Sequence, residues 1–217
     1  IRHPFGTAYL FTDGSTIQLQ NVKAPVSEKV LQDRHFAWEK TKEPRKLYDI
    51  ALDALAAGMT NEAENYCDEL LKLIAGKKEG IAPELQRFAE VYTVAAPQIK
   101  NPAKQQAETE LWKEQLVALS VTGTQANVQN SNHYALIYWD VPGDEVKRRM
   151  DMLETNFKNF YLWYALQGVV MKFPEKPMIA ILAPRVKDVW DLARALEGRW
   201  ISTDGFYSAE HNVLVLS

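Results

Sequence analysis

Residues that could carry catalysis or hold a metal ion are few and scattered in this sequence. The four histidines are His3, His35, His133 and His211. None lies three or four residues from another, so no helix can present two histidines to a metal on one face. The sequence also lacks a His-Glu-x-x-His, a Gly-x-Ser-x-Gly and a glycine-rich phosphate-binding motif. The pattern therefore assigns no catalytic residue, metal ligand or cofactor within these 217 residues.

Two further features could bear chemistry. Glu210 and His211 form the single adjacent pair of an acid and a histidine. In a turn before a strand such a pair is typical of a solvated surface, and catalysis would need a nucleophile or metal that the sequence does not supply. Cys67 is the one cysteine, which excludes an internal disulfide and a metal site built on paired cysteines. It falls on the apolar stripe of a predicted helix, so we interpret it as a core thiol.

The composition is that of an ordinary globular protein. With 47% hydrophobic residues, the chain can bury a core without a metal or disulfide. It has 25 basic and 28 acidic residues, a net charge of −3. This balance lacks the basic excess of a nucleic-acid-binding surface, so we predict no nucleic-acid partner. Its apolar runs fall far short of the roughly 20 residues that span a bilayer, so no transmembrane segment is predicted.

The first half of the chain predicts a small hairpin followed by helices. Residues 8–22 alternate apolar and polar side chains around Asp13-Gly14, a favoured two-residue turn. From residue 28 to 119, apolar residues recur at steps of three and four, and the last helix of this series is predicted to start at Asn101-Pro102. Residues 46–75 resemble a tetratricopeptide-type helix pair. No second copy follows at the period of about 34 residues, so a small helical bundle remains the alternative.

The second half predicts a sheet covered by helices. Residues 121–132 are polar, rich in small residues and without periodicity, which indicates a linker. After it, residues 133–217 alternate strand, helix, strand, helix and strand. We therefore predict an α+β protein with a β-hairpin segment at 1–25, a helical domain at 26–120, the linker, and an α/β domain at 133–217 that is truncated at its C-terminal end.

One predicted helix is unusually aromatic. Between residues 157 and 164, five of the eight side chains are aromatic. They are Phe157, Phe160, Tyr161, Trp163 and Tyr164. A helix covered in this way is typical of burial between a sheet and a neighbouring domain. The alternative is an interface for a protein partner or an apolar ligand groove.

The last strand raises the question of how the chain continues. It comprises Asn212, Val213, Leu214, Val215 and Leu216. Side chains alternate across a sheet, so the valines face one way and the leucines the other. Both sets are apolar, so we expect pairing on at least one side and cover on both faces. A buried strand usually leads into another element, whereas Ser217 leads nowhere, so we expect a longer intact protein.

Four segments of the second half, in this order, resemble a bacterial domain-of-unknown-function family of the peptidase MA-like group, the gluzincin-type metallopeptidases. They read SNHYALIYWDVP, RRMDMLETNFKNFYLWYALQG, KPMIAILAP and GFYSAEHNVLVLS. In that family a Ser-x-His before a hydrophobic strand opens the domain. A Gly-Phe-Tyr turn and an Asn-x-hydrophobic strand come just before the zinc-binding helix.

The resemblance implies that the zinc-binding His-Glu-x-x-His helix follows Ser217. This chain would then be the non-catalytic front part of an intact zinc metallopeptidase, with zinc absent from these residues. A peptide substrate would pair near the edge strand at 212–216 by strand addition. The family and the absent initiator Met indicate an extracytoplasmic or cell-envelope location. The alternative is a protein-interaction or scaffold module that binds partners through the helical bundle and the aromatic helix.

Overall fold

The computed structural model describes residues 26–77, 80–103, 105, 107–119 and 126–217, and the backbone of three short strands among the first 25 residues. The fold is α+β, as predicted. Its contacts divide the chain into two compact units that are not consecutive in sequence. The helical unit comprises residues 1–97 and 158–171, and the sheet unit comprises residues 98–157 and 172–217.

The predicted hairpin pairs in the expected register. Strand β2 (Gly6–Ala8) lies between β1 (Arg2–His3) and β3 (Leu19–Gln20), and both pairings are antiparallel. Ala8 opposes Leu19, a register centred on Asp13-Gly14. The turn itself, with residues 9–18, lies outside the described residues. Strand β1 was not predicted.

The helical segment from residue 28 breaks where proline and a left-handed residue interrupt it. Ser27 caps the first helix, and Lys42 ends it at a φ of 48°. Pro44 then begins the second helix, where its missing N–H is not needed. Four consecutive helices are described in this part of the chain. They are α1 (Glu28–Thr41), α2 (Pro44–Ala56), α3 (Thr60–Ala75) and α4 (Pro83–Lys100).

The core of the helical unit forms where the small and apolar faces of α2 and α3 meet. Fully buried side chains from the two helices are Leu47, Ala51, Ala54, Leu55, Ala63, Cys67 and Leu70. Alanines on both helices let the two backbones approach closely, and the leucines fill the remaining space between the helices. The prediction that Cys67 is a core thiol is confirmed by its burial.

The sheet unit holds a mixed five-stranded sheet in the order β4-β5-β6-β8-β7. Strands β5, β6 and β8 are parallel, and β4 and β7 pair antiparallel at the two sides. The elements are α5 (Thr109–Ala118), β4 (Asn127–Asn130), β5 (Tyr134–Tyr138), α6 (Gly143–Leu166), β6 (Met178–Leu182), α7 (Val186–Glu197), β7 (Gly205–Ser208) and β8 (Val213–Leu216).

Two sequence predictions differ from this arrangement. The helix expected from Asn101 begins at Thr109. The segment expected as a linker at 121–132 contains β4, whose backbone pairs with β5. A polar four-residue strand at the side of a sheet carries no apolar alternation, so period-based reasoning does not detect it. None of the sequence positions at which the chain passes from one compact unit to the other falls within 121–132.

One face of the sheet packs on α5 and α7. Ile137, Ile181 and Val215 form a buried row across three strands. Trp112 and Leu116 from α5 and the apolar stripe of α7 cover this row. Each such side chain contributes about 1.5–3 kcal/mol when it is fully buried, so this layer stabilises the sheet unit.

The last turns of α6 belong to the helical unit and are anchored there by polar contacts. The Tyr48 hydroxyl donates to the Leu166 carbonyl at 2.6 Å, and the Thr60 hydroxyl donates to Asn159 Oδ1 at 2.7 Å. Glu64 Oε2 pairs with Lys158 Nζ at 3.0 Å. The Tyr48 contact satisfies a carbonyl at the end of α6 that would otherwise lack a helical partner.

No helix in the described part of the chain combines the length and the apolar character needed to cross a bilayer.

Candidate functional site

The strand at 212–216 lies inside the sheet and not at its edge. Strand β8 pairs with β6 on one side and with β7 on the other. Val213 and Val215 are fully buried, so the predicted pairing and the burial of the valine face are confirmed. Leu214 and Leu216 are half-buried. Because both sides of β8 are paired, its backbone offers no free edge to a peptide, and the edge lies one strand further out.

Strand β7 provides that edge. Within the described residues it pairs with β8 alone, so its outer backbone groups face away from the sheet, although the Gly205 carbonyl accepts a hydrogen bond from the Thr203 hydroxyl at 2.8 Å. Tyr207 at its centre is 55% exposed, and its hydroxyl donates to Asn212 Oδ1 at 2.8 Å. An extended peptide could add to such an edge through backbone hydrogen bonds, with neighbouring side chains selecting its sequence.

The two faces of the sheet are covered to different extents near β7. On the face opposite α5 and α7, Leu136, Ala180, Leu214 and Tyr207 form a row across β5, β6, β8 and β7. Leu136 and Ala180 are fully buried, Leu214 is half-buried and Tyr207 is exposed. The apolar face therefore becomes progressively uncovered toward the edge. The expectation of cover on both faces of β8 holds fully for the valines only.

Gly205 is needed at the start of β7 because another backbone approaches it. A Cβ atom at this position would lie 2.9 Å from the Val215 carbonyl oxygen. We expect Gly205→Ala to lower the free energy of unfolding by about 1–3 kcal/mol, because the strand pair must move apart. Gly143→Ala is the matched control, since nothing lies within 4 Å of that added Cβ. Equal urea midpoints for the two variants would contradict the close approach.

The aromatic side chains of α6 are divided between the two units and are mostly engaged in packing. Phe157 is buried in the sheet unit, where its ring stacks on His133 with centroids 3.8 Å apart. In the helical unit Tyr161 is buried, and Trp163 and Tyr164 are half-buried. Phe160 is exposed and packs against Tyr164. The set does not form a continuous exposed surface, so packing explains most of it.

A buried polar cluster lies at the start of β5. His133 is 3% exposed, and its Nδ1 lies 2.7 Å from Glu154 Oε2 on α6. Its Nε2 lies 2.9 Å from the Gln98 carbonyl oxygen. Ser131 Oγ donates to Glu154 Oε1 at 2.6 Å, and the His133 backbone N–H donates to the same oxygen at 2.8 Å. Ser131 and His133 therefore meet through a shared carboxylate and not through each other.

The surroundings of Glu154 favour its ionised form. Burial raises the pKa of this carboxyl, but hydrogen bonds from His133 and Ser131 outweigh burial and leave the pKa below its ordinary value. A nucleophilic serine would need its hydroxyl beside a base, whereas His133 Nε2 is occupied by a carbonyl. The geometry thus supports a structural hydrogen-bonded cluster. The sequence shows the Ser-x-His spacing, but nothing in it indicates that Glu154 is the partner of these two residues.

The remaining histidines with described side chains also have structural partners. His211 Nε2 lies 3.3 Å from the Leu196 carbonyl oxygen, and its ring meets Trp112 edge-on. His211 therefore connects the β7–β8 turn to α7 and α5. Its neighbour Glu210 is exposed. His35 lies 3.3 Å from a carboxylate oxygen of Glu69.

An open groove runs between α3 and α4 in the helical unit. Its volume is about 590 Å³. It is lined by Leu71, Ile74, Ala75, Gln86, Ala89, Glu90 and Thr93. The α3 wall is apolar and the α4 wall is mixed, which is a composition suited to holding an amphipathic segment.

No cluster of possible zinc ligands lies among the described residues. Among them, no three His, Cys, Asp or Glu side chains come close enough together to hold a metal ion. Zinc in catalytic sites needs three protein ligands and an open position.

No family model, curated protein or solved structure matches this chain.

Proposed function

We propose that this chain is the non-catalytic front part of a peptidase MA-like protein, a zinc metallopeptidase when intact. Three of the four segments that resemble the family form β5, β6 and the β7–β8 pair, which belong to one sheet. The free edge of β7 beside a half-covered apolar face is the observation that carries the proposal. It is the arrangement that a peptide backbone and a further covering helix would complete.

The uncovered face supports a further segment in the intact protein. Leu214, Leu216 and Tyr207 leave apolar surface open beside β7. A contiguous apolar patch of this kind is usually covered by another element or a partner. A helix packed there would lie next to the β7 edge, so ligands on that helix would be within reach of a peptide added to β7.

Peptide addition is assigned to β7 in this proposal, one strand outward from the position expected from sequence. The backbone of β8 is already paired on both sides, whereas β7 has β8 as its one partner among the described residues. A peptide bound at β7 would be held in extended form by main-chain hydrogen bonds. The exposed ring of Tyr207 would contact its side chains on one face.

The test uses the chain alone and the chain extended by the codons that follow Ser217. We expect the 217-residue chain to bind no stoichiometric zinc after dialysis. We expect the extended protein to bind one zinc ion per chain and to cleave peptides from a fluorogenic library. Replacing the glutamate of a downstream His-Glu-x-x-His by glutamine should abolish cleavage and retain zinc. Nanomolar zinc binding by the short chain, or an extended protein without that motif, would overturn the proposal.

The second candidate is a protein-interaction or scaffold module. The groove between α3 and α4 favours this candidate, because the groove belongs to the helical unit whereas the β7 edge belongs to the sheet unit. The same extended protein separates the two candidates. An extension without zinc ligands and without peptide cleavage would favour the interaction module.

A further inference from the structure

Carboxylates border the free edge of β7 at both ends. Asp204 immediately precedes the strand, and Glu210 follows it in the turn toward β8. Both residues are exposed, and neither side chain takes part in an ion pair among the described residues. Residues 200–217 contain these two acids and no lysine or arginine. The strand that would receive a peptide therefore lies in a negatively charged segment.

The basic residues that precede this segment are engaged elsewhere. Arg194 lies over the ring of Trp200, with its Cζ atom 5.2 Å from the ring centroid. Arg199 pairs with Glu197 at 3.5 Å. Neither guanidinium forms an ion pair with the carboxylates beside β7 in the described part of the chain. A cationic ligand would therefore not have to displace an arginine in order to reach these carboxylates.

An aromatic ring lies between the two carboxylates along the chain. Tyr207 is 55% exposed, and its hydroxyl donates to Asn212 Oδ1 at 2.8 Å. Asn212 has a φ of 50°, a left-handed conformation that asparagine adopts more readily than most residues. Its bond to the hydroxyl restricts the positions of the ring. The face of an aromatic ring attracts an ammonium or guanidinium group, so Tyr207 favours the same class of ligand as the carboxylates.

We propose that the β7 edge selects extended peptides that carry basic side chains. This selection rests on the peptide addition proposed for β7. Four peptide residues would lie along Gly205–Ser208, and a lysine or arginine on each side of them would approach Asp204 and Glu210. Backbone hydrogen bonds would supply binding that is independent of sequence, and the charges would supply the preference. A second copy of β7 fits less well, because antiparallel pairing centred on Tyr207 would bring Asp204 of one copy toward Glu210 of the other.

The experiment measures the binding of two labelled peptides to the 217-residue chain by fluorescence polarisation. Both peptides have a core of alternating valine and threonine, which is flanked by lysines in one and by glutamates in the other. We expect the lysine peptide to bind at least about fivefold more tightly at low salt, since several weak exposed ion pairs act together. This ratio should fall toward one in about 1 M salt, where the screening length is about 3 Å. Methylation of alternate core amides should remove most of the binding, because strand addition needs those N–H groups.

The variant D204S/E210Q should bind both peptides with similar affinity. Its matched control is D33S/E39Q, which removes the same charge from exposed positions on α1 and should keep the preference for lysine. Equal affinities of the two peptides for the wild-type chain, or an unchanged preference in D204S/E210Q, would overturn the basic selection and leave peptide addition at β7 standing. Absence of binding by both peptides, or full binding by the methylated peptide, would overturn strand addition and the selection together. Zinc binding and cleavage by the extended protein are measured independently of these outcomes.

Discussion

Replacing Val215 by aspartate is expected to abolish cooperative folding of the sheet unit at neutral pH. Val215 is fully buried in the row between Ile181 and Phe206, under α5 and α7. The change loses about 1.5–3 kcal/mol of apolar burial and places an unpartnered carboxyl in the core, at a further cost of about 2–7 kcal/mol. Urea unfolding followed by near-ultraviolet circular dichroism would measure the loss.

The neighbouring residue provides the control for this prediction. Leu214 faces the opposite side of the sheet and is half-buried, next to the exposed Tyr207. Water can reach a carboxylate there, so Leu214→Asp should cost roughly 1–2 kcal/mol and leave a folded chain. Equal losses for the two variants would mean that both faces of β8 are closed, and the uncovered face that supports the proposed function would be withdrawn.

Replacing Trp38 by alanine is expected to lower the free energy of unfolding by about 3–5 kcal/mol, the range for large aromatic side chains removed from a core. Trp38 on α1 is 1% exposed, and its Nε1–H donates to the Glu43 carbonyl at 2.9 Å. The bond joins α1 to the start of α2, so the variant loses both packing and the connection between helices. The urea midpoint of the helical unit is the measurement.

Phe36 on the same helix is the matched control. It is 63% exposed, and Lys40 Nζ lies over its ring at 4.8 Å from the centroid. An exposed cation–π contact contributes about 0.5–1 kcal/mol, so Phe36→Ala should remain within about 1 kcal/mol of wild type. A larger loss for Phe36 than for Trp38 would show that the opposite face of α1 is the packed one.

The elements of the second half followed closely from local pattern. The apolar runs in the segments SNHYALIYWDVP and KPMIAILAP form β5 and β6, and the helix between β6 and the last strand is α7, which ends at Gly198. These predictions succeeded because period and helix-stop chemistry act over a few residues. Strand β4 was not predicted from local pattern, since its mostly polar residues form a strand only by pairing with β5.

Residues distant in sequence account for what local pattern missed at the candidate sites. Glu154 lies 21 positions from His133, and nothing in either local sequence indicates their contact. The aromatic helix likewise gave two interpretations, because burial of Phe157 and exposure of Phe160 depend on what packs around α6. Helical spacing defines which residues share a face, but not which face is covered.

By itself the sequence determined the α+β class, most helices and strands, the core position of Cys67 and the valine face of β8. Only the tertiary structure decided the strand order, and with it that β7 and not β8 carries the free edge. It also decided that α6 contributes to both units and that His133 receives a charged partner. The physical reason is that propensity and periodicity depend on neighbours along the chain, whereas strand order and buried polar pairs depend on which distant groups satisfy each other's hydrogen bonds.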